Sequence, residues 1–212
     1  MLGSAPVLAR AGRQVSMLLL IVGLVAVASA ARTQASADAG AFLARLGDQA
    51  IEQLTEPGLS ENEKERRFRK LFNESFDVPT IGRFVLGRYW RRASKAEQQA
   101  FLNVFEDMMV FRFLPVFSDY SGEKLKIGTV RQFGDNPNYF NVTSEFFRNE
   151  GEPVQIDWRI RKDGDRFKIL DVVAEGVSIA VTLRSEYSSV LKRNGGKVAE
   201  LTKVLRNKMS TL

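Results

Sequence analysis

Cysteine and histidine are both absent from the 212-residue sequence. Without them the chain has no thiol nucleophile, no Ser-His-Asp triad, no histidine general base and no zinc site of the usual cysteine and histidine type. A metal site would need oxygen ligands alone, and no run of spaced acidic residues resembles a calcium-binding loop. These absences make an enzymatic function an unfavoured hypothesis from the outset.

The most over-represented residue is phenylalanine, with 15 copies against 4 tyrosines and 2 tryptophans. The hydrophobic fraction of 44% and the charged fraction of 26% are ordinary for a globular protein. A chain of this length is long enough for one domain with a sizeable core and short for two.

The first 30 residues have the pattern of a secretory signal peptide. Arg10 and Arg13 precede a 12-residue apolar run, Met17–Ala28, and small residues follow up to Ala30. The run is shorter than the roughly 20 residues that a membrane-spanning helix needs, so an uncleaved anchor is the less favoured alternative. We predict cleavage near Ala30 and export of the mature chain.

The mature chain would be mildly basic. Removing residues 1–30 takes two of the 31 basic residues and none of the 25 acidic ones, which leaves a net charge of +4. These charges are spread along the chain, without the concentrated basic stripe of a nucleic-acid binder. The charge therefore indicates either attraction to anionic membrane surfaces or simple solubility.

The apolar pattern of the first half is helical. We predict a flexible leader over residues 31–40 and a single domain over residues 41–212. Capping-box patterns at Ser60–Glu63 and Ser94–Glu97 predict two helix starts. The predicted helices cover Phe42–Leu54, Ser60–Phe76, Val78–Leu86, Ser94–Tyr120 with a kink near Pro115, Ile179–Lys192 and Val198–Met209.

From Lys124 the spacing of apolar residues changes from a helical period to a period of two residues. Four strands are predicted, at Lys124–Gln132, Tyr139–Arg148, Val154–Arg161 and Arg166–Val173. Short turn-like connections predict an antiparallel meander. The fold class is therefore α+β, with a four-stranded twisted sheet packed against N- and C-terminal helices.

The longest predicted helix carries an apolar surplus. Between Phe101 and Phe117, twelve of seventeen residues are Phe, Leu, Val or Met. A helix this apolar must be covered on several sides. It is either the central helix of a filled core, or one wall of an apolar cavity, since Phe and adjacent Met suit surfaces that adapt to variable ligands.

Four segments, in order, resemble a known family. They are "LGRYWRRAS" (86–94), "YSGEKLKI" (120–127), "VQIDWRIRKDGDRFKILDVVAEGVSI" (154–179) and "LRSEYSSVLKRNG" (183–195). This pattern resembles the MlaC family, also described as toluene-tolerance auxiliary proteins, which supply the periplasmic phospholipid-binding component of the Mla pathway. The likeness spans about Phe42 to Leu205.

The resemblance implies a monomeric periplasmic carrier that shuttles phospholipids between the two membranes of a Gram-negative envelope and maintains outer-membrane lipid asymmetry. It implies partners in an inner-membrane ABC transporter with an MCE-domain subunit and in an outer-membrane lipoprotein–porin complex. It implies no cofactor apart from phospholipid cargo, and no nucleic acid. Another envelope lipid, such as a hopanoid, remains an alternative cargo.

We predict that such cargo would lie in an apolar pocket between the sheet and the helices. The pocket would have three walls: the helix after Pro79, the long helix, and the sheet with the segment that follows it. The predicted lipid-binding residues are Ile81, Val85, Leu86, Phe105, Met108, Met109, Leu114, Phe117, Ile127, Val142, Ile156, Trp158, Ile169, Val173, Val177 and Tyr187.

Two further functions remain as alternatives. A small-substrate enzyme on a cone-shaped α+β fold would need an ionisable group inside the cavity, for which Asp157 and Asp171 are candidates by type. An adaptor protein would have a filled core and no ligand. We expect Trp90 to be structural, and Arg88, Arg91 and Arg92 to form either a solvated face or a docking patch.

Overall fold

The computed structural model describes residues 34–149 and 151–211. The predicted signal peptide, residues 1–30, lies outside the described residues. Helices precede and follow a single antiparallel sheet, which confirms the predicted α+β class. Among the described residues, no helix has the length and apolar character that a bilayer span requires.

Most helices begin and end close to the predicted positions. Ser60 accepts a hydrogen bond from the Glu63 backbone N–H, and Ser94 and Glu97 form a complete capping box. The predicted kink at Pro115 is a break, because one helix ends at Phe113 and a short one begins at the proline. The helices are α1 (34–54), α2 (Glu61–Ser75), α3 (Val78–Leu86), a 3-10 helix (Gly87–Arg92), α4 (Lys95–Phe113), α5 (Pro115–Ser118), α6 (Ile179–Arg193) and α7 (Val198–Ser210).

The start of α1 differs from the predicted flexible leader. Residues 34–40 are helical, and Ala39 is completely buried against the sheet together with Leu43. A Cβ atom placed on Gly40 would lie 3.2 Å from Cγ2 of Val130. The small residues that suggested a loose segment instead allow the helix to approach the sheet closely.

The sheet is a meander in the order β1-β2-β3-β4-β5, with every neighbouring pair antiparallel. The first four strands match the prediction, and a two-residue fifth strand was not predicted. That strand pairs with β4 through a tight turn at Glu175 and Gly176, which have positive φ angles of 49° and 80°. The strands are β1 (Lys124–Gln132), β2 (Tyr139–Phe147), β3 (Val154–Asp163), β4 (Arg166–Ala174) and β5 (Val177–Ser178).

Two bulges interrupt the alternation of side chains. In β4, Ile169 pairs with Ile160 and Asp171 pairs with Arg159, so Leu170 is an extra residue without a partner. A second bulge lies in β1 between Ile127 and Val130. Each extra residue moves all later side chains of its strand to the opposite face.

The core has two parts. One cluster joins α2, α3, α4, α6 and α7, with α4 packed closely against α7. The other joins the first half of α1 to the inner face of the sheet through Leu43, Phe140, Val142, Ile160 and Ile169. This division matters for function because an open space remains between the two clusters.

The segment that carries the family-like "LGRYWRRAS" pattern joins α3 to α4. Trp90 packs against the helical cluster, and its carbonyl oxygen accepts a hydrogen bond of 2.8 Å from the Gln98 side chain. The structural role predicted for Trp90 agrees with this packing. Arg88, Arg91 and Arg92 are exposed, so a docking role for them stays a prediction.

Candidate functional site

A cavity of about 630 Å³ lies between the helices and the sheet. Almost all of its lining atoms are apolar, and six of the seven α-helices of the described residues contribute to its wall. The lining residues are Leu43, Leu46, Gly47, Ala50, Ile51, Leu54, Phe68, Leu71, Phe72, Phe76, Ile81, Phe105, Met109, Phe113, Val116, Phe117, Asp119, Tyr120, Glu123, Leu125, Phe146, Arg148, Ile156, Trp158, Asp171, Val172, Ile179, Ala180 and Leu183. Such a volume is within the range of small-ligand sites.

The cavity reaches solvent at one end. Its exposed lining residues are Val116, Asp119 and Arg148, which lie at α5, in the loop before β1 and just after β2. Tyr120 and Glu123 line the same end. The polar lining residues therefore concentrate at the mouth, and the interior is apolar apart from Asp171.

Six of the sixteen predicted lipid-binding residues line the cavity. They come from all three predicted walls: Ile81, Phe105, Met109, Phe117, Ile156 and Trp158. The other ten lie outside its wall: Val85, Leu86, Met108, Leu114, Ile127, Val142, Ile169, Val173, Val177 and Tyr187.

The helical residues outside the wall pack against other helices. Val85, Leu86, Met108 and Tyr187 are buried in the helical cluster, where the Tyr187 ring meets Phe101 edge to face at 6.0 Å. Burial also raises the pKa of Tyr187. Periodicity identified these positions as buried but did not show which neighbour each one faces.

The sheet residues outside the wall have two explanations. Ile127, Val142 and Ile169 pack in the α1–sheet cluster, because the first turns of α1 fill the space in front of them. Val173 lies beyond the bulge at Leu170, which turns it to the opposite face and brings Val172 to the cavity instead. Val177, in β5, is 60% exposed.

The prediction missed two contributors to the wall. α1 supplies six lining residues, Leu43, Leu46, Gly47, Ala50, Ile51 and Leu54, and α2 supplies the aromatic residues Phe68 and Phe72. Their helical apolar spacing was visible in the sequence. The spacing did not show that α1 and α2 face the same space as the long helix, α4.

The two candidate catalytic carboxylates differ in position. Asp171 lines the cavity, but both of its oxygens are occupied: Ala180 N donates to Oδ1 at 3.0 Å, and Ser178 Oγ and Arg159 Nη1 donate to Oδ2 at 2.6 and 3.1 Å. Asp157 pairs with Thr143 and Val173 and is not part of the lining. Asp171 therefore anchors the start of α6 to β3 and β4.

A metal site finds no support in the described part of the chain. No three Asp, Glu, His or Cys side chains there form a group that could hold a metal ion.

Fold and site together define a class: an α+β protein in which a meander sheet and surrounding helices enclose a large apolar cavity that is open at one polar end. The family model described as MlaC protein matches residues 44–207. The chain therefore belongs to the MlaC family, as its motifs predicted.

Two relatives illustrate the likeness. A curated protein of Haemophilus influenzae, named intermembrane phospholipid transport system binding protein MlaC, is 25% identical over 117 residues. That match spans about half of each protein, 54% of this chain and 54% of the relative. A second relative is a solved phospholipid-binding protein from Ralstonia solanacearum, in complex with a phospholipid. Its structural match to this chain has a TM-score of 0.73 at 19% identity and covers 81% of this chain and 96% of the Ralstonia chain. The structural match supports the fold.

Proposed function

We propose that the protein is a periplasmic carrier that binds the acyl chains of a phospholipid in the cavity and leaves the headgroup at the mouth. The observation that carries this proposal is the distribution of polarity. The interior of the cavity is apolar, whereas Asp119, Glu123 and Arg148 lie at its open end. A ligand that fits this pattern is amphiphilic, with a long apolar part and one polar end.

Hydrophobic burial alone would give strong binding. An acyl chain of about 15 methylene groups gains on the order of 12 kcal/mol on leaving water, at about 0.8 kcal/mol per group. Such a ligand needs no catalytic residue and no metal. We propose that the protein is not an enzyme, since Asp171, the candidate catalytic carboxylate among the lining residues, is held by three hydrogen bonds.

We further propose that the carrier moves phospholipids between an outer-membrane lipoprotein–porin complex and an inner-membrane ABC transporter with an MCE-domain subunit, and so maintains outer-membrane lipid asymmetry. Family membership and the name of the Haemophilus influenzae relative support this role. An acyl chain is equally stable in a bilayer, so directed transfer requires partners that open the cavity and an energy source outside this chain.

Lipid analysis of the purified protein tests the proposal. Native mass spectrometry of protein prepared without detergent should show a phospholipid adduct, which extraction and lipidomics then identify. Met109→Trp, which places a larger side chain in the wall, should lower the occupancy at least severalfold. Phe111→Trp, at an exposed position two residues further along α4, is the matched control and should leave it unchanged.

Three results would overturn or change this proposal. A homogeneous apo mass that stays unchanged after incubation with phospholipid vesicles would favour an adaptor with no ligand. A hopanoid as the extracted lipid would keep the carrier and change its cargo. Equal occupancy in the Met109→Trp and Phe111→Trp variants would place the lipid outside the cavity.

A further inference from the structure

The mouth of the cavity has one basic side chain. Among the lining residues that the structure describes, only Arg148 is basic. It follows the end of β2 by one residue and lies two residues after Phe146, which lines the wall. Because alternate residues of an extended chain share a face, Arg148 continues the apolar inner surface of the sheet into solvent.

Hydrogen bonds hold the segments around Arg148 in place. Asn149 Nδ2 donates to Ser121 Oγ at 2.7 Å, which ties the end of β2 to the loop before β1. Ser121 N and Oγ in turn donate to the Glu123 carboxylate at 2.8 and 2.9 Å. These bonds also lower the pKa of Glu123, so the loop keeps its negative charge at neutral pH. These bonds connect the loop before β1 to the end of β2 beside the arginine.

The guanidinium group of Arg148 has a geometry that suits binding of an anion. Its Nη2 donates to the Glu152 carbonyl oxygen at 3.2 Å. Arginine carries five N–H donors, and its planar fork matches a phosphate group through two parallel hydrogen bonds. One hydrogen bond to a carbonyl leaves donors that can reach a ligand.

We propose that Arg148 is the headgroup subsite of the carrier and binds the phosphate of a phospholipid whose acyl chains lie against Phe146, Ile156 and Trp158. This inference rests on the proposed function, because it assumes a lipid in the cavity. The carboxylates of Asp119 and Glu123 line the same mouth, so a zwitterionic headgroup suits the rim better than one with a net negative charge.

A competition between two lipids with the same tails tests the subsite. The full-length mature protein is incubated with vesicles of dioleoyl phosphatidylcholine that contain a minor fraction of dioleoylglycerol, which has no phosphate. Native mass spectrometry gives the ratio of the two lipids bound. Because the ratio is measured on loaded protein, a partial loss of folding does not change it.

We expect Arg148→Gln to lower the phosphatidylcholine-to-dioleoylglycerol ratio about tenfold, the size of effect expected for a hydrogen bond to a charged group. Arg148→Lys keeps the charge without the fork and should lower the ratio less. Arg131→Gln removes an exposed arginine of β1 that does not line the cavity, and should leave the ratio unchanged.

Two results would overturn the subsite while leaving the carrier intact. The first is an equal ratio in wild type, Arg148→Gln and Arg131→Gln. The second is a fall of the same size in Arg131→Gln as in Arg148→Gln, since the ratio would then follow the net charge of the protein and not the position of Arg148. Absence of both lipids from the wild-type protein would instead contradict the proposed function itself.

Discussion

Trp158 Nε1 donates a hydrogen bond of 2.9 Å to Ser144 Oγ, on the neighbouring strand. Ser144 Oγ in turn donates to the Ile156 carbonyl oxygen at 3.1 Å, and the serine is only 1% exposed. The one polar atom of the Trp158 side chain is thus satisfied within the sheet. The rest of the indole is then available as an apolar wall of the cavity.

Ser144→Ala should destabilise the protein by about 1–3 kcal/mol, because it leaves the Trp158 N–H without its acceptor. Urea unfolding followed by circular dichroism measures the change. The double variant Ser144→Ala/Trp158→Phe is the control, since it removes donor and acceptor together. We expect it to lose less stability than the two single variants added together; strict additivity would show that the hydrogen bond contributes nothing.

Asp171→Asn should lower the free energy of unfolding by about 2 kcal/mol. The amide has one oxygen where the carboxylate has two, so it cannot accept from Ala180 N, Ser178 Oγ and Arg159 together. Asp165→Asn, in the exposed turn between β3 and β4, is the matched control. An Asp171→Asn variant as stable as wild type would mean that the carboxylate does not anchor α6.

Tyr187→Phe should stabilise the protein slightly at neutral pH, by up to about 1 kcal/mol. The Tyr187 hydroxyl is buried and has no hydrogen-bond partner among the described residues, and its ring is 3% exposed. Thermal unfolding at pH 7 measures the difference. A loss of more than 1 kcal/mol would show that the hydroxyl has a partner, such as a buried water molecule.

The same residue makes stability depend on alkaline pH. Burial raises the pKa of Tyr187 above its usual value of 10.0, so the unfolded chain loses this proton first. The contribution of the neutral phenol to the free energy of unfolding is complete below pH 10 and decreases as the pH rises above it. We expect the urea midpoint of wild type to fall more between pH 9 and 11 than that of Tyr187→Phe. An equal fall of the two midpoints would contradict the raised pKa of Tyr187.

Gly128→Ala should destabilise the sheet by about 2 kcal/mol. A Cβ atom there would lie 2.6 Å from Thr143 Oγ1, the atom that accepts the Thr129 N–H at 2.8 Å within the bulge of β1. Gly47→Ala offers the contrast: it lies in α1, and its Cβ would meet Leu125 at an ordinary 3.4 Å. That change should be neutral or stabilising by up to about 1 kcal/mol, because alanine favours helix. Equal effects of both substitutions in urea unfolding would argue against a tight bulge.

Much of the fold was predictable because local patterns dominate it. The capping boxes at Ser60 and Ser94, the change of period at Lys124 and the turn residues between strands each depend on a few neighbouring residues. The family was predictable for the same reason, since each of its sequence motifs consists of neighbouring residues. The leader was mispredicted because small residues such as Ala39 and Gly40 suggest a loop locally, yet they permit close packing that only a partner surface reveals.

The lining of the cavity depended on information that no local pattern contains. The spacing of apolar residues along the chain was enough to identify Val142, Val173 and Tyr187 as core residues. Their neighbours depend on packing between distant elements: the first turns of α1 cover Val142, the bulge at Leu170 exchanges Val173 for Val172, and Tyr187 packs against helices. Burial of a side chain follows from the hydrophobic period of its own element, whereas a filled or an open space beside it follows from how separate elements pack.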